Sequence, residues 1–231
     1  MCGRYILAQL AAAEQYFQLD RAAWDTTANY NVAPTLPVPI VRLGKDGKRE
    51  GVMVRWGLIP YFAQGVPGKF STINARIESF ETAASYKWPW KRRQRCLQVA
   101  SGFYEWHIDT RGHKVPFFIR LADQEVFAFA SLWDRSRKSD GSSIESCVLI
   151  TMPGNELMRD VHNAGTHPYR MPAILRREDY AAWLGGSADE ARAVLKPYPS
   201  DLMVAYEVSR RVNDVKNNDA KLIEALDYAS S

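Results

Sequence analysis

The sequence has 231 residues, 46% hydrophobic, 12% aromatic and 24% charged, with a net charge of +4. That suits one well-buried core in a globular chain and excludes a disordered one. No run approaches the roughly 18 apolar residues of a membrane helix, and the N-terminus has no basic segment followed by an apolar run.

Three cysteines, Cys2, Cys96 and Cys147, neither pair off nor follow a zinc-ligand spacing. The expectation is a cytoplasmic protein with no disulfide framework, metal or organic cofactor. Charge is uneven along the chain. Residues 1–100 carry 14 Lys+Arg against 7 Asp+Glu, a net of +7, and residues 101–231 carry 16 against 19, a net of −3. A basic half fits a polyanion such as nucleic-acid phosphate, and fits as well a solvated surface without a partner.

In chain order, Ala8 to Leu19 has apolar residues at helical spacing and few breakers, which predicts a helix. Pro34, Pro37 and Pro39 then force an extended passage. Val38–Leu43 and Gly51–Trp56 flank Asp46-Gly47, a hairpin turn signal. A helix is expected near Glu78–Tyr86. Strands are expected over Gln98–His107, Val115–Leu121, Val126–Trp133 and Ile144–Thr151, with a turn at Thr110-Arg111-Gly112. Further helices are expected near Gly154–Val161, Arg177–Leu184, Ala188–Leu195 and Asp219–Tyr228. No repeat, low-complexity tract or long linker interrupts the chain, so residues 1–231 read as one domain. Hairpin-joined strands with helices between or after them predict an α+β fold around mainly antiparallel sheet. Strict strand–helix alternation and a Gly-rich phosphate loop are both missing, which argues against a doubly wound α/β fold.

Cys2 stands out by position. Removal of Met1 leaves it with a free α-amine titrating near 8 and a thiol near 8.5, both reactive around neutral pH. A 1,2-aminothiol attacks an aldehyde through nitrogen and closes through sulfur to a five-membered thiazolidine. The same position also suits a small apolar residue packed at the start of a strand. Glu105 lies in the aromatic run Phe103-Tyr104-Glu105-Trp106; burial there raises a carboxyl pKa and makes a candidate general acid/base. On a strand it shares a face with Phe103 and His107, opposite Tyr104 and Trp106. Asn74, in Ile73-Asn74-Ala75-Arg76, suits a helix cap or a substrate contact, and Arg76 a phosphate contact. His162 and His167 straddle the loop Asn163–Thr166. Trp88-Pro89-Trp90-Lys91-Arg92-Arg93-Gln94-Arg95 interleaves aromatics with bases, as nucleic-acid grooves and solvated basic faces both do.

Taken together and in this order, these pieces resemble the SOS-response-associated peptidase (SRAP) family. The matching segments are Met1-Cys2-Gly3-Arg4-Tyr5, Tyr30-Asn31-Val32-Ala33-Pro34-Thr35, Trp56-Gly57-Leu58-Ile59-Pro60 and Ile73-Asn74-Ala75-Arg76 with Glu78. Further on come Arg95-Cys96-Leu97, Gly102–Trp106, Arg170-Met171-Pro172-Ala173-Ile174-Leu175 and Val212-Asn213-Asp214. The resemblance implies a single SRAP-like α+β domain, a monomer, that binds single-stranded DNA and captures abasic sites. The residue matching Cys2, exposed by removal of Met1, forms the thiazolidine. Asn74, Glu105 and a histidine before the Arg-Met-Pro motif lie beside it. By the same carry-over Arg4 and Arg76 hold phosphates, with Pro34, Phe62 and Trp106 near the strand.

Three features depart from the family pattern. The loop between Val161 and Arg170 is longer, so His162 matches the catalytic histidine by its preceding residues and His167 by its nearness to Arg170; the context favours His162. Ser101 stands where aspartate is usual, and an arginine common after Glu78 is missing. A localisation with the nucleoid follows if the source is bacterial. Two further classes fit the residues: an N-terminal-nucleophile peptidase (a hydrolase) acting in trans, and a non-covalent single-strand binder with a structural Cys2.

Overall fold

A computed structural model describes residues 2–8, 13–24 and 27–227. Its strands are β1 (Tyr5–Leu7), β2 (Arg21–Ala23), β3 (Asn29–Val32), β4 (Pro37–Leu43), β5 (Arg49–Trp56), β6 (Asn74–Arg76), β7 (Arg95–Ala100), β8 (Gly102–Ile108), β9 (Lys114–Leu121), β10 (Phe127–Arg137), β11 (Ser143–Pro153), β12 (Arg170–Pro172), β13 (Ile174–Leu175) and β14 (Met203–Glu207). Short helices α1 (Ala13–Phe17), α2 (Lys87–Lys91), α3 (Glu156–Val161), α4 (Tyr180–Gly185) and α5 (Ala188–Ala193) lie between and around them. The fold is α+β and mostly antiparallel, as the sequence predicts. None of the described helices is long and apolar enough to cross a membrane.

Two sheets carry the architecture. One has the order β14-β9-β8-β1-β3. In the other, β11-β10-β7-β4-β5 closes on itself, because the end of β5 pairs in parallel with β11 at Ser146↔Arg55 and Cys147↔Trp56. Within this barrel-like ring β7 stands between β10 and β4, and its six residues are all buried. The strand expected over Gln98–His107 is therefore two strands in two sheets. The chain changes sheets at Ser101, whose hydroxyl accepts from Ala8 N at 3.1 Å while its own N–H donates to the Ile6 carbonyl at 2.9 Å. Gly102 permits the crossing: a Cβ there would stand 2.4 Å from the Phe118 ring.

Several helix expectations change. Of Ala8–Leu19, the described helical part is α1, and residues 9–12 lie outside the described residues. Glu78–Tyr86 forms a series of turns, not a helix. Thr82 competes with the helical ladder there, its Oγ1 donating to the Ser79 carbonyl at 3.2 Å. The helix comes one segment later, in α2, with Pro89 inside the first turn where its missing N–H costs little. Asp219–Tyr228 yields one 3-10 turn, Ala220–Ile223, because Leu226 N donates to the Glu207 carbonyl and Val208 bridges to Ala225; Tyr228 lies outside the described residues.

Candidate functional site

Strand β8 alternates between two cores. Phe103 belongs to the main core with Cys2, whereas Tyr104 and Trp106 pack with Ile6, Phe118, Val212 and Leu222 in a smaller cluster. Glu105, on the Phe103 side, is therefore driven inward and is only 2% exposed. His162 ends α3, and 5% of it is exposed; its Nε2 stands 3.8 Å from Glu105 Oε2. Two contacts dock α3 and its following loop onto the end of β8. The Asp160 carbonyl lies 2.8 Å from His107 Nδ1, and the Asn163 amide pairs both ways with the Ile108 backbone, accepting at 2.8 Å and donating at 2.9 Å.

Cys2 is 1% exposed. Its carbonyl accepts from Asn74 Nδ2 at 2.8 Å, and Asn74 is held in β6 by parallel pairing to β11 at Leu149↔Asn74. Asn74 is thus a strand residue and not the helix cap its sequence context suggests. Its Oδ1 is buried without a hydrogen-bond partner among the described residues. The Tyr86 hydroxyl lies 3.4 Å from the Asn74 carbonyl and braces the same strand.

Burial sets the electrostatics. It pushes Glu105 up to about 7, partly offset by the Lys114 cation. It pushes His162 down to about 4, leaving the imidazole neutral at pH 7. Burial, and then the Glu105 charge, raise the Cys2 thiol. A carboxyl whose pKa is higher folded than unfolded favours the folded state fully only below its ordinary value of 4.5, and that contribution is lost as pH rises through 7. Glu105→Gln should therefore raise stability, and with it Tm, by an increment that grows from pH 5 to pH 8 and reaches on the order of 1–3 kcal/mol in unfolding free energy. Thermal melts across that range check it; an increment independent of pH contradicts a buried ionisation at this position.

Glu105 and His162 open onto a cavity of about 690 Å³ whose wall also includes Gly3, Arg4, Trp106, Lys114, Ala164 and Asn213. Arg4 is half committed: its Nη1 donates to Asn31 Oδ1 at 2.7 Å and to the Val212 carbonyl at 2.9 Å. Trp106 Nε1 donates to Asn213 Oδ1 at 2.9 Å, and Lys114 Nζ lies 5.0 Å from the Trp106 ring centroid.

The structure thus brings together Cys2, Asn74, Glu105, His162, Arg4 and Trp106. His167 lies in an exposed loop outside the cavity wall. Arg76 is exposed, 3.7 Å from Glu78, and Pro34 is half-buried; neither forms part of that wall. Phe62 is 53% exposed in a separate cluster, against Tyr61, with Arg92 4.4 Å over the Tyr61 ring and Lys91 5.4 Å from Trp88. The basic–aromatic run after Trp88 is split by the fold. Trp88, Lys91 and Arg92 face outward, whereas Trp90 packs against Phe80 and buried Arg95 hydrogen-bonds the Ser187 and Gly186 carbonyls.

One residue with a large role stands in the sequence only as a member of a matching segment, with nothing local to show what it does. Buried Asn31 donates its amide to the carbonyls of Val212, Asp214 and Asn217 at 3.3, 3.0 and 2.8 Å. It folds the C-terminal segment back as the cavity wall that holds Asn213 and steadies Arg4.

Fold and cluster define a sheet-rich α+β chain in which a buried carboxylate and imidazole line a cation-edged cavity, with the buried position-2 cysteine within electrostatic reach of that carboxylate. The chain belongs to the SOS response associated peptidase (SRAP) family, whose model matches residues 1–215. It is 35% identical over 231 residues to the abasic site processing protein YoqW of Bacillus subtilis, covering 97% of this chain and all of that one. Against the abasic site processing protein HMCES of Pongo abelii it is 26% identical, over 86% of this chain and 65% of that protein. A crystal structure of a Bordetella bronchiseptica protein superposes with a TM-score of 0.79 at 29% identity, covering 90% of this chain and all of that one.

Proposed function

We propose that this chain processes abasic sites by capturing them covalently in single-stranded DNA, through a thiazolidine on Cys2 once Met1 is removed. The observation that carries the reading is the placement of Cys2: its carbonyl is held by Asn74, its buried thiol lies within electrostatic reach of Glu105, and the Glu105–His162 pair lines a cavity edged by Arg4 and Lys114. The abasic processing attributed by name to YoqW and HMCES points the same way.

The chemistry balances without cofactor. The Cys2 amine adds to C1′ of the ring-opened sugar, and the carbinolamine loses its hydroxyl as water to give an imine. The thiol sulfur then adds to the imine carbon while its proton passes to nitrogen. Glu105 supplies the proton that turns the departing hydroxyl into water. Neutral His162 donates from Nε2 to the sugar as its ring opens. Asn74 fixes the Cys2 carbonyl, and its buried Oδ1 is an acceptor for the α-amine. Arg4 and Arg76 contact phosphate, and Pro34, Phe62 and Trp106 line the strand's path. A single strand suits the cavity because a splayed backbone exposes the sugar that duplex stacking covers.

The test is to incubate Met1-free protein with an abasic oligonucleotide and read the intact mass. The expected species has the summed mass of protein and DNA less one water, forms faster on single strands than on blunt duplex, and forms more slowly at high salt with limiting DNA. Salt-sensitive binding without a mass shift supports a non-covalent binder, and cleavage of added peptides supports a peptidase acting in trans; either result replaces this reading.

A further inference from the structure

The imidazole of His162 has its proton placed by a neighbour. Its Nδ1 accepts from the backbone N–H of Arg170 at 3.2 Å. A ring nitrogen that accepts from an amide carries no hydrogen, so the neutral ring bears its proton on Nε2, the nitrogen 3.8 Å from Glu105 Oε2. The Tyr169 N–H closes the same neck of the loop, donating to the His162 carbonyl at 2.6 Å. The long excursion from Asn163 to Pro168 therefore leaves His162 and Arg170 side by side. Which nitrogen of His162 faces the cavity depends on where the Arg170 amide stands.

The peptide that carries this amide is held on its carbonyl side, where Tyr169 O accepts from the Gly154 N–H at 2.7 Å. On its far side Arg170 opens β12 opposite Pro153, which has no N–H to donate to the Arg170 carbonyl. The side chain supplies the anchor there. Arg170, 8% exposed, makes a two-pronged ion pair with Glu78 at 2.8 and 3.0 Å, and its Nη2 also donates to the Thr151 carbonyl at 2.8 Å. The Glu78 carboxylate is held below its usual pKa, first by its hydrogen bonds from Arg170. Glu78 lies two residues past the end of β6, which carries Asn74, so one carboxylate ties the Asn74 strand to the His162 neck.

We propose that Glu78 is a positioning residue that acts through Arg170 to fix the Nε2–H tautomer of His162 and its aim at Glu105. The consequence for catalysis rests on the abasic-capture reading above; the tautomer itself does not. A residue that served stability alone would lower the melting temperature when removed and leave the ring's proton where it is.

The test labels histidine with ¹⁵N and reads the His162 ring by two-bond proton–nitrogen correlation at pH 7, in the intact chain and in Glu78→Ala and Glu78→Gln. The intact chain should show a proton on Nε2 and a bare, hydrogen-bonded Nδ1. Glu78→Ala should move the ring toward a mixture of tautomers and lower the capture rate at saturating DNA by roughly 10-fold, the low end of the loss when the partners that orient metal-bound histidines are removed. Glu78→Gln, which keeps an acceptor for Arg170, should move it less and retain most of the rate. If Glu78→Ala does not fold, Glu78→Gln decides. An unchanged tautomer in the folded variants, or an Nδ1–H ring in the intact chain, overturns the proposal. If the intact chain forms no adduct at all, the capture reading fails, while the ring spectra still settle the role of Glu78.

Discussion

Cys2→Ala should form no adduct with abasic DNA that survives heat and denaturant, while keeping most of its affinity for the strand. A thiazolidine needs amine and thiol on adjacent carbons, and an N-terminal cysteine alone presents that pair. With alanine at the terminus the amine still condenses to an imine, but nothing closes the ring, and the imine hydrolyses on denaturation. Retained Met1 should have the same effect with Cys2 intact, because the Cys2 nitrogen is then an amide. Cys96 and Cys147 are buried within β7 and β11, and burial raises both thiols above their ordinary pKa. Replacing either should leave the adduct yield unchanged at matched folded protein. Peptide mapping of the crosslinked species is the measurement, and attachment anywhere but Cys2 would falsify the mechanism.

How far these features could be read from sequence depends on how local their causes are. Alternation along Gly102–Ile108 is a property of consecutive residues, so it assigns Glu105 to the face of Phe103 before any coordinates are known. The hairpin at Asp46-Gly47 is equally local: β4 and β5 pair from Leu43↔Arg49 to Pro37↔Arg55. The misread pieces had distant causes. β6 is three residues long and exists because β11 offers it a parallel edge, so Asn74 reads locally as a cap and folds as a strand. The break at Ser101 depends on β1, almost a hundred residues earlier in the chain. Asn31 works on carbonyls more than 180 residues downstream, through a segment with no regular pattern. The Arg170 amide on His162 is likewise invisible in sequence, since a loop of variable length separates the two and only its closed neck brings them together.

The second large effect is expected at the Glu105–His162 pair, and its pH dependence separates the two groups. Capture needs the Cys2 amine unprotonated and Glu105 protonated. With an amine near 8 and Glu105 pushed up to about 7, the single-turnover rate at saturating DNA should trace a bell with its maximum between those values. Glu105→Gln removes the group whose deprotonation limits the rate at higher pH. It should lower the rate about 10²–10⁴-fold and convert the bell into a single rise through the amine's titration. His162, pushed down to about 4, stays neutral throughout, so His162→Ala should lower the rate at every pH without changing the curve's shape. His167 is exposed and outside the cavity wall, so His167→Ala should stay within about twofold of the intact chain. A bell that persists in Glu105→Gln would remove Glu105 as the proton donor, and a larger loss at His167 than at His162 would transfer the histidine's role to the loop.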